Sequence, residues 1–457
     1  MGAPMKCKKI IVVSLTVLLL VGINLSVHFT RKQCPARSYT PTETFPKQVS
    51  LIEYKRADAI PAWGRRYNAD CTMCHTMIPN LNAAGHKFRR LGYQMPDEFD
   101  NQKEAAISWD ELSKLTNYFA VRGRAGAFYT RQSGANTFSF SDAGVPPPDA
   151  TLFYAGPASR NLSFFYEFAF DPDAAAVEVA QMMFHEGNSN RFFFAKAGKF
   201  HDFGKVGFGG LDRPMTLSTP KVRSQFINGY RPNMDVIGFE TGYSWGNFTG
   251  LIQASNGIKQ TGDSVGGEVD PNNHKDIGLL LEYMIPGHDA SVSALFNYGQ
   301  APTPTDSGGT VVPGALSTKY ARGYLFADYT FEPIGLRPIV GVSIGSDNQF
   351  ISNIGKGIVG AAGGAALTSA SRSTSWLTFL EFDQRIKDNL YGIARFDYFD
   401  PTNTAEASKG TAKTWAGTGA LAWSVQSYLR LVGEYSLTDN SFQEATHKLQ
   451  AEVQMNF

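Results

Sequence analysis

Cys71, Cys74 and His75 are the residues of this chain whose types and spacing could do chemistry together. The run Cys71-Thr72-Met73-Cys74-His75 sets two thiols three positions apart with an imidazole directly after them, the attachment pattern of c-type haem. The spacing has a geometric reason. On a short helical segment, thiols so placed reach the two vinyl groups of one porphyrin, and the next side chain lies under the ring with a nitrogen for the iron. A redox dithiol would call for βαβ surroundings and a zinc site for a second ligand pair, and neither accompanies this motif. One covalent haem c is therefore expected, held by Cys71 and Cys74 with His75 as the proximal ligand.

The sixth iron position has three candidates. Met95 is the first choice, since it precedes Pro96 and lies beyond an expected helical segment, Asn80 to Leu91, that lets the chain return over the ring. His86 is the second choice. It sits inside that segment beside Lys87, Arg89 and Arg90, where its plain reading is a solvated polar position. Met77 comes last, being too close to His75 to cross to the opposite face. Methionine ligation would raise the reduction potential. A filled sixth position implies electron transfer, and an open one ligand binding or peroxide chemistry.

These residues need elements to hold them, and the rest of the chain is built for a different environment. From Asn117 onward, short segments alternate apolar and polar residues with period two. In the last of them Leu449, Ala451, Val453, Met455 and Phe457 are apolar, while Lys448, Gln450, Glu452, Gln454 and Asn456 are polar. Trp376, Leu380 and Phe382 likewise oppose Glu381, Asp383 and Arg385, and Gly392, Ala394 and Phe396 oppose Arg395 and Asp397. A soluble sandwich would turn polar residues outward, whereas here one face is aliphatic and aromatic throughout and the charges face the other side. Tight links at Gly187 to Asn190, Trp245 to Asn247, Pro286-Gly287, Pro333 to Gly335, Lys387 to Asn389 and near Val425 alternate with long stretches. Those stretches are Arg131 to Ala150, Gly204 to Asn233, Asn256 to His274, Gln300 to Ser317 and Ser346 to Arg372. This is the rhythm of periplasmic turns and extracellular loops, and with a weak strand near Leu152 it gives an all-β, outer-membrane β-barrel of about sixteen strands. The stretch Gly204 to Asn233 is the best placed to fold into the lumen. Outer-membrane lipid is then an expected partner.

Composition agrees with that reading. Charged residues make up 18% of 457 and aromatics 13%, with 45 glycines and a net charge of +1. The balance carries no basic stripe for nucleic acid, which is excluded as a partner. Four cysteines cannot frame a body of this size with disulfides. No nucleophile motif accompanies the scattered His185, His201, His274, His288 and His447, which read as loop or strand-end polar residues. Hydrolytic chemistry has no support, and no catalytic residue is assigned.

At the front, Lys6, Lys8 and Lys9 precede an apolar run from Ile10 to Val27, the order of an export signal. The run lacks a small-x-small cleavage triplet, so an uncleaved anchor is the competing reading. Residues 28–70 span at most about 150 Å when fully extended, too little to anchor comfortably in one membrane while the remainder lies in another, and cleavage is expected. The resulting division is 1–33 export signal or anchor, 34–57 linker, 58–116 a very small α-helical monohaem cytochrome c segment, and 117–457 barrel.

The segment Ala59-Ile60-Pro61-Ala62-Trp63, Arg65-Arg66-Tyr67, Cys71 to His75, Pro79-Asn80-Leu81-Asn82, Gly85 and Arg89-Arg90-Leu91-Gly92-Tyr93 resembles the fused monohaem cytochrome–porin family. That family includes outer-membrane iron oxidases of iron-oxidising bacteria. The chain departs from its pattern in carrying Trp63-Gly64 where Phe-Ala is expected. The resemblance implies that the cytochrome segment, too short to bury a haem by itself, tucks into the barrel. It also implies that extracellular Fe(II) is the electron donor and a periplasmic c-type cytochrome the acceptor. A conduit for another donor or acceptor, or a diffusion porin with an accessory haem domain, are the alternatives. The acidic loop residues Asp263, Glu268 and Asp270 could hold a hard cation transiently, although a solvated loop is their plainer reading.

Overall fold

A computed structural model describes residues 61–77, 79–101, 117–132, 134–140, 149–171, 174–201, 215–224, 235–256, 274–300, 319–347, 373–387, 389–400, 413–426, 428–440 and 443–456. The expected export segment, the linker, Asp263, Glu268, Asp270 and Phe457 lie outside these residues.

The period-two pattern becomes strands. After a short ribbon, β1 (His75–Met77) with β2 (Asn80–Leu81), come β3 (Phe119–Gln132), β4 (Ala135–Ser139), β5 (Asp149–Pro157), β6 (Leu162–Asp171), β7 (Ala174–Asn188), β8 (Arg191–His201), β9 (Asp235–Trp245) and β10 (Phe248–Ser255). There follow β11 (Asp276–Met284), β12 (Ala290–Gln300), β13 (Lys319–Tyr329), β14 (Leu336–Asp347), β15 (Ser373–Lys387), β16 (Leu390–Asp400), β17 (Thr414–Gln426), β18 (Leu429–Asn440) and β19 (Gln443–Asn456). From β5 onward each pairs antiparallel with the next, and β19 returns to β3 to close the barrel. Both β4 and β5 pair with β3, at Phe128 to Gln132 and at Phe119 to Arg124 respectively. They are two lengths of a single stave, which makes the barrel sixteen-stranded.

The stretch Arg131 to Ala150, expected to be loop, thus contains a strand. All but the last residue of Ala135–Ser139 is exposed, so no buried face writes alternation into its sequence.

One residue's shift in phase decides which solvent a side chain meets. In the run Phe192-Phe193-Phe194 of β8 the outer two are buried, while Phe193 remains 41% exposed on the outside. On β11, Ile277, Leu279, Leu281 and Tyr283 point outward, and Leu280 and Glu282 point in. A continuous girdle of exposed Phe, Leu, Ile, Val and Trp would aggregate a water-soluble protein. On a closed barrel with an even number of strands it is the lipid-facing belt of an outer-membrane protein.

The ends of the barrel differ. Links as short as Gly246-Asn247, where Gly246 takes φ +57°, join successive staves at one end. A left-handed backbone there suits glycine and matches the strand twist. In barrels of this kind tight turns face the periplasm.

Candidate functional site

The segment ahead of the barrel folds as α1 (Pro61–Tyr67), a 3-10 turn at Cys71–Met73, the β1–β2 ribbon, α2 (Ala83–Arg90) and α3 (Pro96–Asn101). Only the first part of the Cys-x-x-Cys-His motif is therefore helical, because His75 already opens β1. Asp70 caps the 3-10 turn, its Oδ1 accepting from the Thr72 backbone N–H at 2.8 Å.

Asn82 joins the motif to the next helix. Its backbone N–H donates to Cys74 O at 2.9 Å, its side-chain amide donates to Met73 O at 3.2 Å, and its Oδ1 accepts from the Gly85 N–H at 3.0 Å. That last bond is an N-cap. It starts α2 at Ala83 rather than at Asn80, which belongs to the ribbon, so the expected helix is three residues shorter at its front. Gly85 permits the contact, since a Cβ there would lie 2.2 Å from Cys74 O.

His75 is buried, and its Nδ1 lies 2.9 Å from Pro79 O. A carbonyl oxygen only accepts, so Nδ1 carries the proton and the imidazole lone pair lies on Nε2. This is how iron- and zinc-ligating histidines are oriented, with the second ring nitrogen tied to a backbone carbonyl. Burial pushes the Cys74 thiol up to about 11.

The expected distal ligands are separated by the fold. Met95 packs beside Trp63 and Tyr67 on a cluster formed by Phe88, Tyr93 and wall residues Ala120, Phe153, Phe165 and Val179 of β3, β5, β6 and β7. Met77 is buried on the other part of the wall, against Tyr391, Ile393, Ala422 and Val432 of β16 to β18. His86 is buried rather than solvated. Of the charged neighbours that suggested solvent, Arg90 is itself buried and forms an ion pair with Glu282 of β11.

These contacts make the segment a plug. Asn80 Nδ2 donates to Asp383 Oδ2 of β15 at 2.9 Å, Gln94 Nε2 to Arg160 O at 3.2 Å and Arg65 Nη2 to Phe119 O at 2.8 Å. Thr76 donates to Asp289. Asp100 accepts from the Ser189 N–H and hydroxyl, both at 2.6 Å. Arg160, Ser189 and Asp289 lie in tight turns, so the plug occupies the periplasmic end of the lumen. Leu91 and Phe99 are buried with Phe192, Phe194, Leu280, Leu295 and Phe379 of the inner wall. The lumen, expected to be a wet and charged face, is in this part apolar. His185, read as a strand-end residue, is fully buried on β7 and edge-on to Phe99 at 6.2 Å.

The loop between β8 and β9 does fold inward, in its described part. Glu434 of β18 accepts from the Leu217 and Ser218 backbone N–H groups at 2.6 and 3.0 Å, and Asp397 of β16 from that of Lys221 at 2.8 Å. Arg430 donates to Met215 O at 2.9 Å. Met215 is fully buried in the cluster that holds Met77, a meeting of loop and plug that no local pattern in the sequence announces.

No known family's model matches the chain, and no curated protein matches it. Among solved structures it is similar to the outer membrane channel DcaP of Acinetobacter baumannii, with TM-score 0.51 and 11% identity over 74% of this chain and 96% of that one. The anion-selective porin from Comamonas acidovorans gives TM-score 0.50 and 12% identity, over 74% of this chain and 99% of that one. OprB of Pseudomonas putida gives 0.51 and 6%, over 76% and 96%. At these identities the likeness is one of fold, that of an outer-membrane porin barrel.

Proposed function

We propose that this outer-membrane barrel is an electron conduit. In this reading Cys71 and Cys74 hold one haem c, His75 is its proximal ligand and Met95 its distal one. Extracellular Fe(II) is the donor and a periplasmic c-type cytochrome the acceptor. The observation that carries the reading is the Cys-x-x-Cys-His motif on a plug inside the lumen, with His75 Nδ1 tied to Pro79 O.

The residues present fit that group. His75 offers Nε2 in a fixed orientation, its Nδ1 being tied to Pro79 O. When bound, the haem supplies a one-electron ferric/ferrous couple. The chain does the rest. Cys71 and Cys74 anchor it, Asn82 and Gly85 hold α2 against the motif, and the apolar core around Leu91, Phe99 and Phe379 keeps water away. A sixteen-stranded barrel left open would enclose an aqueous channel, so the plug and its apolar surroundings favour an insulating sleeve.

The porin fold of the similar structures favours a second reading, a diffusion porin whose front segment is an accessory. Two measurements separate them. Anaerobic stopped-flow absorbance of the oxidised protein mixed with ferrous iron is expected to show a c-type spectrum that reduces rapidly and is lost in His75→Ala. Bilayer recordings on the intact chain are expected to show little ion conductance. A chain without covalent haem and with an open-channel conductance is a porin, and a haem that stays oxidised in ferrous iron removes iron as the donor.

A further inference from the structure

The ribbon that begins at His75 is too small to hold its own shape. Among the described residues β1 and β2 pair only with each other, His75 with Leu81 and Met77 with Asn80, and form a separate two-stranded sheet. A lone two-stranded hairpin is marginal at best in water, yet the bond from His75 Nδ1 to Pro79 O spans its turn and depends on its geometry. The barrel wall supplies support on both strands. Thr76, next to His75, donates its hydroxyl to Asp289 Oδ2, and Asn80, next to Pro79, donates Nδ2 to Asp383 Oδ2 at 2.9 Å. Asp289 is itself fixed, since the Thr330 hydroxyl donates to the same oxygen at 2.6 Å and the Thr330 N–H to Asp289 O at 2.8 Å. Asp383 is wholly buried on β15. Two wall carboxylates therefore grip the residues that flank the His75–Pro79 bond, one from each strand.

We infer that Asp289 and Asp383 are positioning residues for His75: they hold Pro79 O against the Nδ1–H and so set the orientation and basicity that the imidazole offers to iron; this rests on the electron-conduit reading. The donor strength of a ligating imidazole follows the acceptor on its other nitrogen, and outer hydrogen bonding is one of the levers on a haem potential. A firm Nδ1–H···O bond leaves more negative charge on the ring and favours ferric iron. A ribbon released on either strand weakens that bond, so the potential rises. The role is geometric. Arg337 stands opposite Asp383 on β14, donates Nε to Asp328 Oδ2 at 3.1 Å, and lies within Coulomb range of both Asp289 and Asp383, offsetting part of their charge. Either carboxylate can also be exchanged for an amide whose oxygen still accepts from Thr76 or Asn80.

The test is the reduction potential and the low-spin ferric electron paramagnetic resonance spectrum of the holoprotein and its variants. Thr76→Val, Asp289→Ala and Asp383→Ala are each expected to raise the potential and to displace the g values, which follow the imidazole's orientation. Thr76→Val combined with Asp289→Ala is expected to do no more than either alone, because the two share one bond. Asp289→Asn and Asp383→Asn keep an accepting oxygen and are expected to stay near the parent. Should the alanine variants lose haem, Thr76→Val, which leaves the wall intact, carries the comparison. Full haem with the parent's potential and spectrum in Thr76→Val and both alanine variants would leave these contacts as fastenings of the plug and overturn the inference, with the conduit still standing. Asparagine variants that shift as far as the alanine ones overturn it too, since charge and not position would then set the potential. Absence of covalent haem in the unmodified protein overturns the conduit reading itself.

Discussion

Asn80 and Asp383 stand 303 residues apart in the chain and meet inside the barrel, Asn80 Nδ2 donating to Asp383 Oδ2 at 2.9 Å with both side chains buried. The contact fastens the ribbon that begins at His75 to the wall at β15. Asn80→Ala would leave a buried carboxylate short of a donor, at a cost of about 1–3 kcal/mol. The expected outcome is a plug that limited proteolysis cuts sooner while the barrel persists. An unchanged cleavage rate would mean the bond does not retain the plug.

Arg90 and Glu282 form the second tie, and both are almost wholly buried. Removing one partner of a buried pair strands the other charge, typically for about 3–5 kcal/mol, while replacing both with apolar residues costs far less. Arg90→Met alone and Glu282→Met alone are expected to loosen the plug, and the double variant to recover most of the loss. Protease resistance of the three variants reads this out. Additive losses would refute the pairing.

Gly85 brings α2 close against the Cys-x-x-Cys-His motif. Because a Cβ there would stand 2.2 Å from Cys74 O, Gly85→Ala must push the helix away from the motif. Under the electron-conduit reading the variant is expected to carry much less covalent haem than the parent at equal barrel content, measured by haem-stained gels. Normal haem content would show that the approach is not needed for attachment.

Cys74 gives a pH-dependent prediction for the protein without attached haem. Burial raises its thiol pKa to about 11, so at pH 8 the reactive thiolate is on the order of a thousandth of the population. Alkylation followed by mass spectrometry should be slow at neutral pH and accelerate until the pH nears 11. The raised pKa also means that the folded form holds this proton more tightly than the unfolded form. Its stability contribution is therefore full at neutral pH and declines as the pH rises from the ordinary thiol value towards 11. Rapid alkylation at neutral pH would show the thiol to be open to water.

The barrel was legible because lipid and lumen impose opposite chemistry on alternate residues. Strand β19 could be read from Leu449 to Asn456, and tight turns such as Pro333 to Gly335 marked the staves' ends. The Cys-x-x-Cys-His spacing from Cys71 to His75 stands out in the sequence because it is local, and the structure adds its 3-10 turn and the contact of His75 Nδ1 with Pro79 O. What escaped was tertiary. His86 looked solvated among Lys87, Arg89 and Arg90, yet it is buried, and Arg90 of the same helix pairs with Glu282 of the wall. The lumen looked uniformly wet because charges such as Glu381 and Asp383 mark it plainly. The inward Phe192, Phe194 and Phe379 serve the plug and carry no such mark. Met215 meets Met77 through a loop whose path depends on Glu434, Asp397 and Arg430, none of them its neighbours in sequence.

The plug's partners run from Phe119, at the start of the first stave, through Arg160, Ser189, Glu282 and Asp289 to Asp383, and its Met77 cluster reaches Val432 on the last stave but one. A body held on so much of its circumference is poorly suited to late entry through a finished ring. The seam between β19 and β3 is thus expected to be sewn after the plug has folded, and biogenesis acquires an order. Any cofactor bonded to Cys71 and Cys74 would be installed on the periplasmic chain first, and the membrane machinery would wrap the wall around a finished core.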